Sequence, residues 1–589
     1  MSDFIFCSKK IKKLKLKQCF DKIYGEEKEL SFFSSEKSTF IISENIYNGF
    51  STYVTDNHVC AVIGGPVLHF RNNNFISKKA SNEGTKSIYD RWIKKDEMVW
   101  HEDLDGPFVI MLFDVDSGAF EVITDMLSFI PIFHKNTNSN IILSTHIDSI
   151  DFLEPSKVDQ VSVADYIINN VVTFPFTIFE GVNQIFPASS HKWSFLEKSK
   201  IKHSYITYWL PKEYVASDEF NVEFLANRLQ KGLKNYMNKI LEAEPKLGIL
   251  MSGGEDSRTV AGMIPEKHSK DGFIYCETIN NEVKITEEIA KRYSINLNVG
   301  HMSKNNFVDN MEQFCDLVGV GCDGANVHSF SFYKTLNYHK YDVIFGGFLA
   351  DTFLKSLWSS KSSKRSHFFL FGAKENIINF SEYKDISHSC INNDLIVEVN
   401  KRRKVHWDFL KSIRPSTTQE WMGIWPISMQ RDIPNIYGHR RLFRSFEPFT
   451  SSEVIKVGSI APQKIKSNKI LFQKAMKPFL SKTKWIPHNA GYLPYFKYWI
   501  NNVLFKPYYK VLFRFFTNRN STLANWFDVF KRSEVRFKED LYKGAILKYC
   551  GNVFSKKSEF EIIDNSNLNN IQKRNILQLG YFLFKKNKF

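Results

Sequence analysis

A short apolar run, Leu247-Gly-Ile-Leu-Met251, breaks off into Ser252-Gly253-Gly254-Glu255-Asp256-Ser257, and an apolar-periodic segment, Thr259 to Ile264, follows. The run reads as a buried strand and the segment after the turn as a helix. A strand, a glycine turn and a helix start in that order build an anion site. Paired glycines let successive backbone N–H groups face one spot, and the helix N-terminus adds partial positive charge there. Ser252 and Ser257 can donate hydroxyls. Asp256 would repel a bare phosphate, so it points to Mg²⁺ held between carboxylate and pyrophosphate. No lysine follows the glycines, which separates this turn from the Gly-x4-Gly-Lys-Ser/Thr phosphate loop. A Ser/Gly-rich turn with no ligand is the other reading of these residues taken alone.

The flanking sequence repeats the strand–helix alternation. Phe273–Glu277, Ile295–Val299 and Tyr341–Phe345 are candidate strands, and Ile285, Ile289 and Tyr293 mark one face of an intervening helix. An amphipathic helix over 220–243 leads into the first strand. This alternation predicts a parallel sheet, with ligands at the carboxyl ends of its strands. The Gly346–Asp351 loop also follows a strand, so it faces the same site. Residues 1–205 read as β-rich, with strands at Val59–Ile63, Pro107–Phe113, Ala119–Ile123 and Ile141–Thr145, and a helical stretch at Val163–Ile167. Residues 360–589 read as mostly helical, with polar loops at 359–366 and 564–569.

At 589 residues the chain exceeds one core, so two or three domains are expected. No apolar run approaches the roughly 18–20 residues that span a bilayer, and the first ten residues lack signal-peptide order. Eight scattered cysteines without a CxxC pair indicate neither zinc nor a disulfide framework, and a cytoplasmic location is expected. The net charge of +16 gathers in Lys9–Lys17 and in Tyr495–Phe516, where Lys497, Lys506, Lys510 and Arg514 alternate with aromatics. A solvated basic face is the plain reading, and weak contact with an anionic membrane surface is the other. No nucleic-acid-binding module is visible, so no specific nucleic acid partner is expected.

Ser252–Ser257 resembles the SGGxDS pyrophosphate loop of the asparagine-synthetase family. Gly346-Gly347-Phe348-Leu-Ala-Asp351 is similar to that family's SGEGAD element. Glu447-Pro-Phe449, Lys469–Ala475 and Ile486–Pro494 are similar to its PFLD, KxxLRxA and RxKxGFxxP segments. Leu104–Asp114, Thr124-Asp125 with Pro131–His134, Ser144–Ile147 and Gly181–Pro187 resemble stretches of its glutamine-hydrolysing half, in the same order. The resemblance implies an α/β protein. An N-terminal αββα sandwich of the N-terminal-nucleophile type (1–205) would precede an ATP-pyrophosphatase domain of the adenine nucleotide alpha hydrolase kind (206–500) and a helical extension (501–589). It implies an ATP-dependent amide ligase that uses Mg²⁺, adenylates a small-molecule or peptide carboxylate, and passes it to an amine or ammonia.

By the same resemblance, Leu250, Ser252, Gly253, Gly254, Asp256, Ser257 and Gly347 bind the nucleotide. Asp256 and Asp351 hold the metal and are catalytic; a helix cap is the plain alternative for Asp351. Phe348 and Asn489 are altered catalytic positions, where the family has Glu or Tyr and a lysine; Lys482 and Lys484 are nearby substitutes for that lysine. Ser2 stands where the family has its nucleophilic cysteine, and a serine needs base activation that a thiol needs far less. The RGPD and NGE glutamine-binding motifs are missing, with Ile63-Gly-Gly-Pro66 in place of the latter. The first domain is therefore expected to lack glutaminase activity. An ATP-binding pseudoenzyme or scaffold, and a basic membrane- or nucleic-acid-binding protein, are the alternatives.

Overall fold

Strict alternation of apolar side chains shapes the amino-terminal half. Phe4 and Phe6 point one way from the strand Phe4–Cys7, and Ile5 and Cys7 the other. The computed structural model describes residues 2–72, 81–95, 98–137, 140–195, 201–214, 221–365, 373–516, 533–555 and 562–587. Phe4–Cys7 lies inside a six-stranded sheet, between Asn140–Ser144 and Thr39–Ser43. A second six-stranded sheet centres on Phe108–Asp114 and Phe120–Thr124, paired as a hairpin. Every pairing in both sheets is antiparallel. Their facing sides enclose a dry layer that includes Phe4, Phe6, Phe40, Val109, Met111, Phe113 and Phe120.

Both outer faces are apolar too, so each needs a helical cover. One is covered by Lys13–Tyr24, Ile147–Leu153 and Gln160–Asn169, joined by Asn306–Val318 and by the late helices Ser533–Cys550 and Asn570–Asn587. On the other face Val62, Phe108, Ile110 and Ile123 share one core with Leu225, Leu229, Leu233 and Ile240 of the helix Val222–Leu241. The architecture is α/β with an αββα amino-terminal sandwich.

The carboxyl-terminal half carries a five-stranded, wholly parallel sheet. Its spatial order is Asn296–His301, Lys270–Cys276, Leu247–Leu250, Val343–Phe345, Ser445–Phe446. Chain order runs outward in one direction from Leu247–Leu250 and then returns to start Val343–Phe345 on its other side. That reversal opens a crevice at the strand ends. Asn280 caps the crossover helix Asn281–Arg292 by accepting from the N–H groups of Glu282 and Val283.

Two expectations change, and one strand is added. The helix after the glycine turn begins at Glu255, not Thr259, with Gly254 as its cap. Glu255 and Asp256 in its first turn favour this early start through the helix dipole. The polar stretch 359–366 contains a strand, Lys361–Arg365, paired with Ala373–Ile377; Ser366 lies outside the described residues. A two-stranded hairpin makes its bonds through the backbone and needs no apolar periodicity. Ser445–Phe446, too short to show a period, completes the parallel sheet. The side chains of Lys510 and Arg514 lie outside the described residues.

Candidate functional site

The loops after Leu247–Leu250 and Val343–Phe345 meet at the crevice. Their approach is so close that a Cβ on Gly347 would stand 2.8 Å from the Ser257 nitrogen and 2.9 Å from the Asp256 carbonyl carbon. Only glycine permits this contact. A cleft of about 670 Å³ opens there. Leu250, Ser252, Gly254, Asp256, Ser257, Gly347, Phe348, Asp351 and Asn489 all line it. Gly253 lies behind the wall, donating to Glu282 Oε1 at 3.3 Å.

The glycine turn is held from within. The Ser252 N–H donates to Ser257 Oγ (3.1 Å), the Gly254 N–H donates to Ser252 Oγ (3.1 Å), and the two hydroxyls lie 2.9 Å apart. The expected open cradle of N–H groups is therefore closed by the serines, whose hydroxyls must turn outward to receive an anion. Arg258, fully buried, donates to the carbonyls of Gly253 (3.1 Å), Ile486 (2.7 Å) and Pro487 (3.3 Å). It ties the turn to the segment that carries Asn489, whose Oδ1 accepts from Asn281 Nδ2 at 3.1 Å. Phe348 presents its backbone N–H to Glu447 Oε2 at 2.9 Å.

Charge concentrates on one wall. Glu255, Asp256 and Asp351 bring carboxylate oxygens within 4.8 Å of one another. The buried ammonium of Lys355 reaches all three, at 2.8, 2.5 and 2.8 Å respectively. Asp351 is not a cap: it lies inside the helix Ala350–Leu354, which Leu349 precedes as its N-cap. Lys469 pairs with Glu255 and donates to the Tyr492 hydroxyl at 3.0 Å. Burial raises the proton affinity of Glu255, but Lys355 and Lys469 outweigh it and hold the carboxyl below its usual range. Burial, with Asp351 and Glu255 adding to it against Lys355, pushes Asp256 up.

The carboxylates suit a hard cation, but not one added to Lys355. An ion at about 2.1 Å from these oxygens would sit against the ammonium, like charge on like charge. A metal role for Asp256 and Asp351 therefore depends on where the Lys355 ammonium stands. Lys482 and Lys484 do not line the cleft: Lys482 pairs with Glu266, and Lys484 is exposed beside Trp485. The cations in the cleft wall are Lys355 and Lys469.

Several lining residues escaped the sequence. Glu255 had a readable signal, since a buried acid in a glycine turn requires a partner. Lys355 had one too, four residues after Asp351, at the end of the helix Ala350–Leu354. Glu447 lies in the Glu447-Pro-Phe449 segment already singled out, and His439 had no signal. His439 is 2% exposed with neither ring nitrogen bonded, and Glu447, pushed up to about 7 by burial, also lines the cleft.

The residue expected at the nucleophile position is immobilised. Ser2 is 3% exposed, its carbonyl accepts from Arg440 Nη1 at 2.7 Å, and its hydroxyl reaches the Glu44 carbonyl at 3.4 Å. Asp3 accepts from Arg440 Nη2 (3.0 Å), Arg441 Nε (2.8 Å), Arg441 Nη2 (2.7 Å), Thr145 Oγ1 (2.7 Å) and the Tyr24 hydroxyl. The Gly64 end of its strand is tied by Asn45 Nδ2, which donates to the carbonyls of Val62 and Gly64 at 2.7 and 3.0 Å.

Residues 78–209 match the family model of a glutamine amidotransferase domain, in keeping with the N-terminal-nucleophile-type sandwich that they help to build. The match covers under a quarter of the chain. Two solved structures are similar at a TM-score of 0.25: an allosteric regulatory enzyme of purine biosynthesis (7% identity, 52% of this chain and 82% of that one) and a glutamine phosphoribosylpyrophosphate amidotransferase from B. subtilis complexed with ADP and GMP (10% identity, 52% and 67%). Likeness at that level defines no activity. No curated protein matches the sequence. Among the described residues, no helix is long and apolar enough to cross a membrane.

Proposed function

We propose that the chain is an ATP-dependent amide ligase of the asparagine-synthetase type. A substrate carboxylate attacks the α-phosphorus of ATP, forming an acyl-adenylate and releasing pyrophosphate. An amine or ammonia then attacks the acyl carbon and AMP leaves. The observation that carries this reading is the meeting of the SGGEDS turn and the Gly346–Asp351 loop at the reversal point of a parallel sheet. The helix start at Glu255 and the Ser252 and Ser257 hydroxyls would receive the phosphates. Mg²⁺ enters on the phosphates of ATP, as part of the substrate. Lys469, on the cleft wall, would offset charge on the leaving pyrophosphate. Nitrogen would come from ammonia or a substrate amine, because Ser2 is buried and held by Arg440.

The test is pyrophosphate release from Mg·ATP across panels of amino acids, uronic acids and peptides, with and without ammonium and glutamine. Release that requires one carboxylate, is indifferent to glutamine and is abolished in a folded Asp256→Ala variant is expected. Wild-type release by that variant would remove the turn from the mechanism. The neutral side chains at Phe348 and Asn489 favour a second reading, an ATP-binding pseudoenzyme with lost acyl transfer. ATP binding without release under any condition would select it.

A further inference from the structure

The wall of the cleft holds more charge than nucleotide binding requires, and its arrangement is specific. Lys355 has three ammonium hydrogens, and three carboxylates from two segments stand within 2.8 Å of its nitrogen. Its opposite side lies over the ring of Phe472, 4.1 Å from the centroid. The side chain is 4% exposed, and Glu255 is 3% exposed. A buried ammonium with an acid on every hydrogen and an aromatic face behind it has little freedom to swing aside. Lys355 and Lys469 set two ammonium groups against the carboxylates of Glu255, Asp256 and Asp351, so this cluster has cations of its own. One oxygen, Glu255 Oε2, is buried and unbonded.

We infer that the Lys355 ammonium is the resident cation of this carboxylate cluster, standing where a protein-bound divalent ion would stand. The inference rests on reading the cleft as a nucleotide site only for its purpose, not for its geometry. It follows that the free protein binds no divalent ion at Asp256 and Asp351, and that the cation of the wall is carried by the chain itself. It also gives Glu255 a role in the glycine turn: it binds the lysine from beneath, while Asp256 and Asp351 bind it from the cleft side.

The test is titration of the nucleotide-free, full-length protein with Mn²⁺, following the free-ion signal by electron paramagnetic resonance. The wild type is expected to leave Mn²⁺ free up to about 1 mM, and Lys355→Met to bind one equivalent at least about tenfold more tightly. Asp351→Asn on the Lys355→Met background should remove the gained site. Because Lys355→Met leaves Glu255 underpaired in the interior, the double variant Glu255→Leu/Lys355→Met is measured beside it. It removes both buried partners, keeps two carboxylates, and should gain a Mn²⁺ site in the same direction. One Mn²⁺ bound by the wild type and lost in Asp351→Asn would overturn the inference, as would no gain in a folded double variant. The non-cleavable probe α,β-methylene-ATP is titrated in parallel with and without Mg²⁺. Failure to bind it under both conditions would sink the nucleotide reading while leaving the Mn²⁺ result to stand by itself.

Discussion

Replacing Asp3 by Asn tests how the two halves are fastened. The Asp3 carboxylate is 1% exposed and pairs with two guanidinium groups brought from the helix Pro434–Leu442. Asn keeps the shape, removes the charge, and turns one acceptor into an N–H₂ facing other donors. Breaking a buried ion pair on one side costs about 3–5 kcal/mol. Unfolding entropy near 2.1 cal/mol/K per residue gives about 1.2 kcal/mol/K if all 589 residues unfold together, so a loss of about 4 kcal/mol lowers Tm by about 3 °C. If only about 200 amino-terminal residues unfold, the same loss lowers Tm by about 9 °C. Thermal denaturation by circular dichroism separates the two. The pH dependence has a fixed sign. Burial opposes ionisation of Asp3, but Arg441 and Arg440 outweigh it and hold the pKa well below 3.8. Its stabilising contribution is therefore complete above pH 3.8 and fades as pH falls further. The gap between wild type and variant should be full at neutral pH and narrow only in that acid range. A variant melting within about 1 °C of the wild type at neutral pH would refute the reasoning.

Three further outcomes are expected. Burial raises Glu447 from 4.5 to about 7, so the folded state gives up this proton later than the unfolded state and loses about 3 kcal/mol as pH rises between those values; Glu447→Gln should flatten that part of the stability profile, and parallel profiles would contradict it. Gly347→Ala forces a methyl against the Ser257 nitrogen and should cost about 1–3 kcal/mol together with nucleotide affinity, read by melting and by nucleotide titration; unchanged binding would mean the two loops do not form one site. Between 477 and 516 the chain has no Asp or Glu, and Leu504, Tyr508 and Val511 are each more than half exposed. Sedimentation with anionic vesicles at low salt, lost at high salt or with neutral lipid, is expected there; equal recovery with neutral vesicles would argue against it.

What the sequence disclosed was local in the chain. The strand, glycine turn and helix start lie within about twenty consecutive residues, and hydrophobic alternation marked the sandwich strands one by one. Nine of ten expected site residues line one cleft because two strand ends adjoin at the sheet's reversal. What stayed hidden depends on distant partners. Lys355 meets Glu255 and Asp256 across about a hundred residues, and Asp3 meets Arg440 and Arg441 across more than four hundred. The closure of the turn by its own serines also escaped notice, because hydroxyl orientation follows the local bonding environment and leaves no periodic trace.

The core common to both halves bears on how such a chain can change over generations. Val62, Phe108, Ile110 and Ile123 wall the same interior as Leu225, Leu229 and Leu233. Excision of the amino-terminal half would strip that interior and leave the helix Val222–Leu241 with an apolar face in water. Selection can therefore let any chemistry in that half lapse and still preserve its strands, since they serve as the floor on which the neighbouring cleft is built.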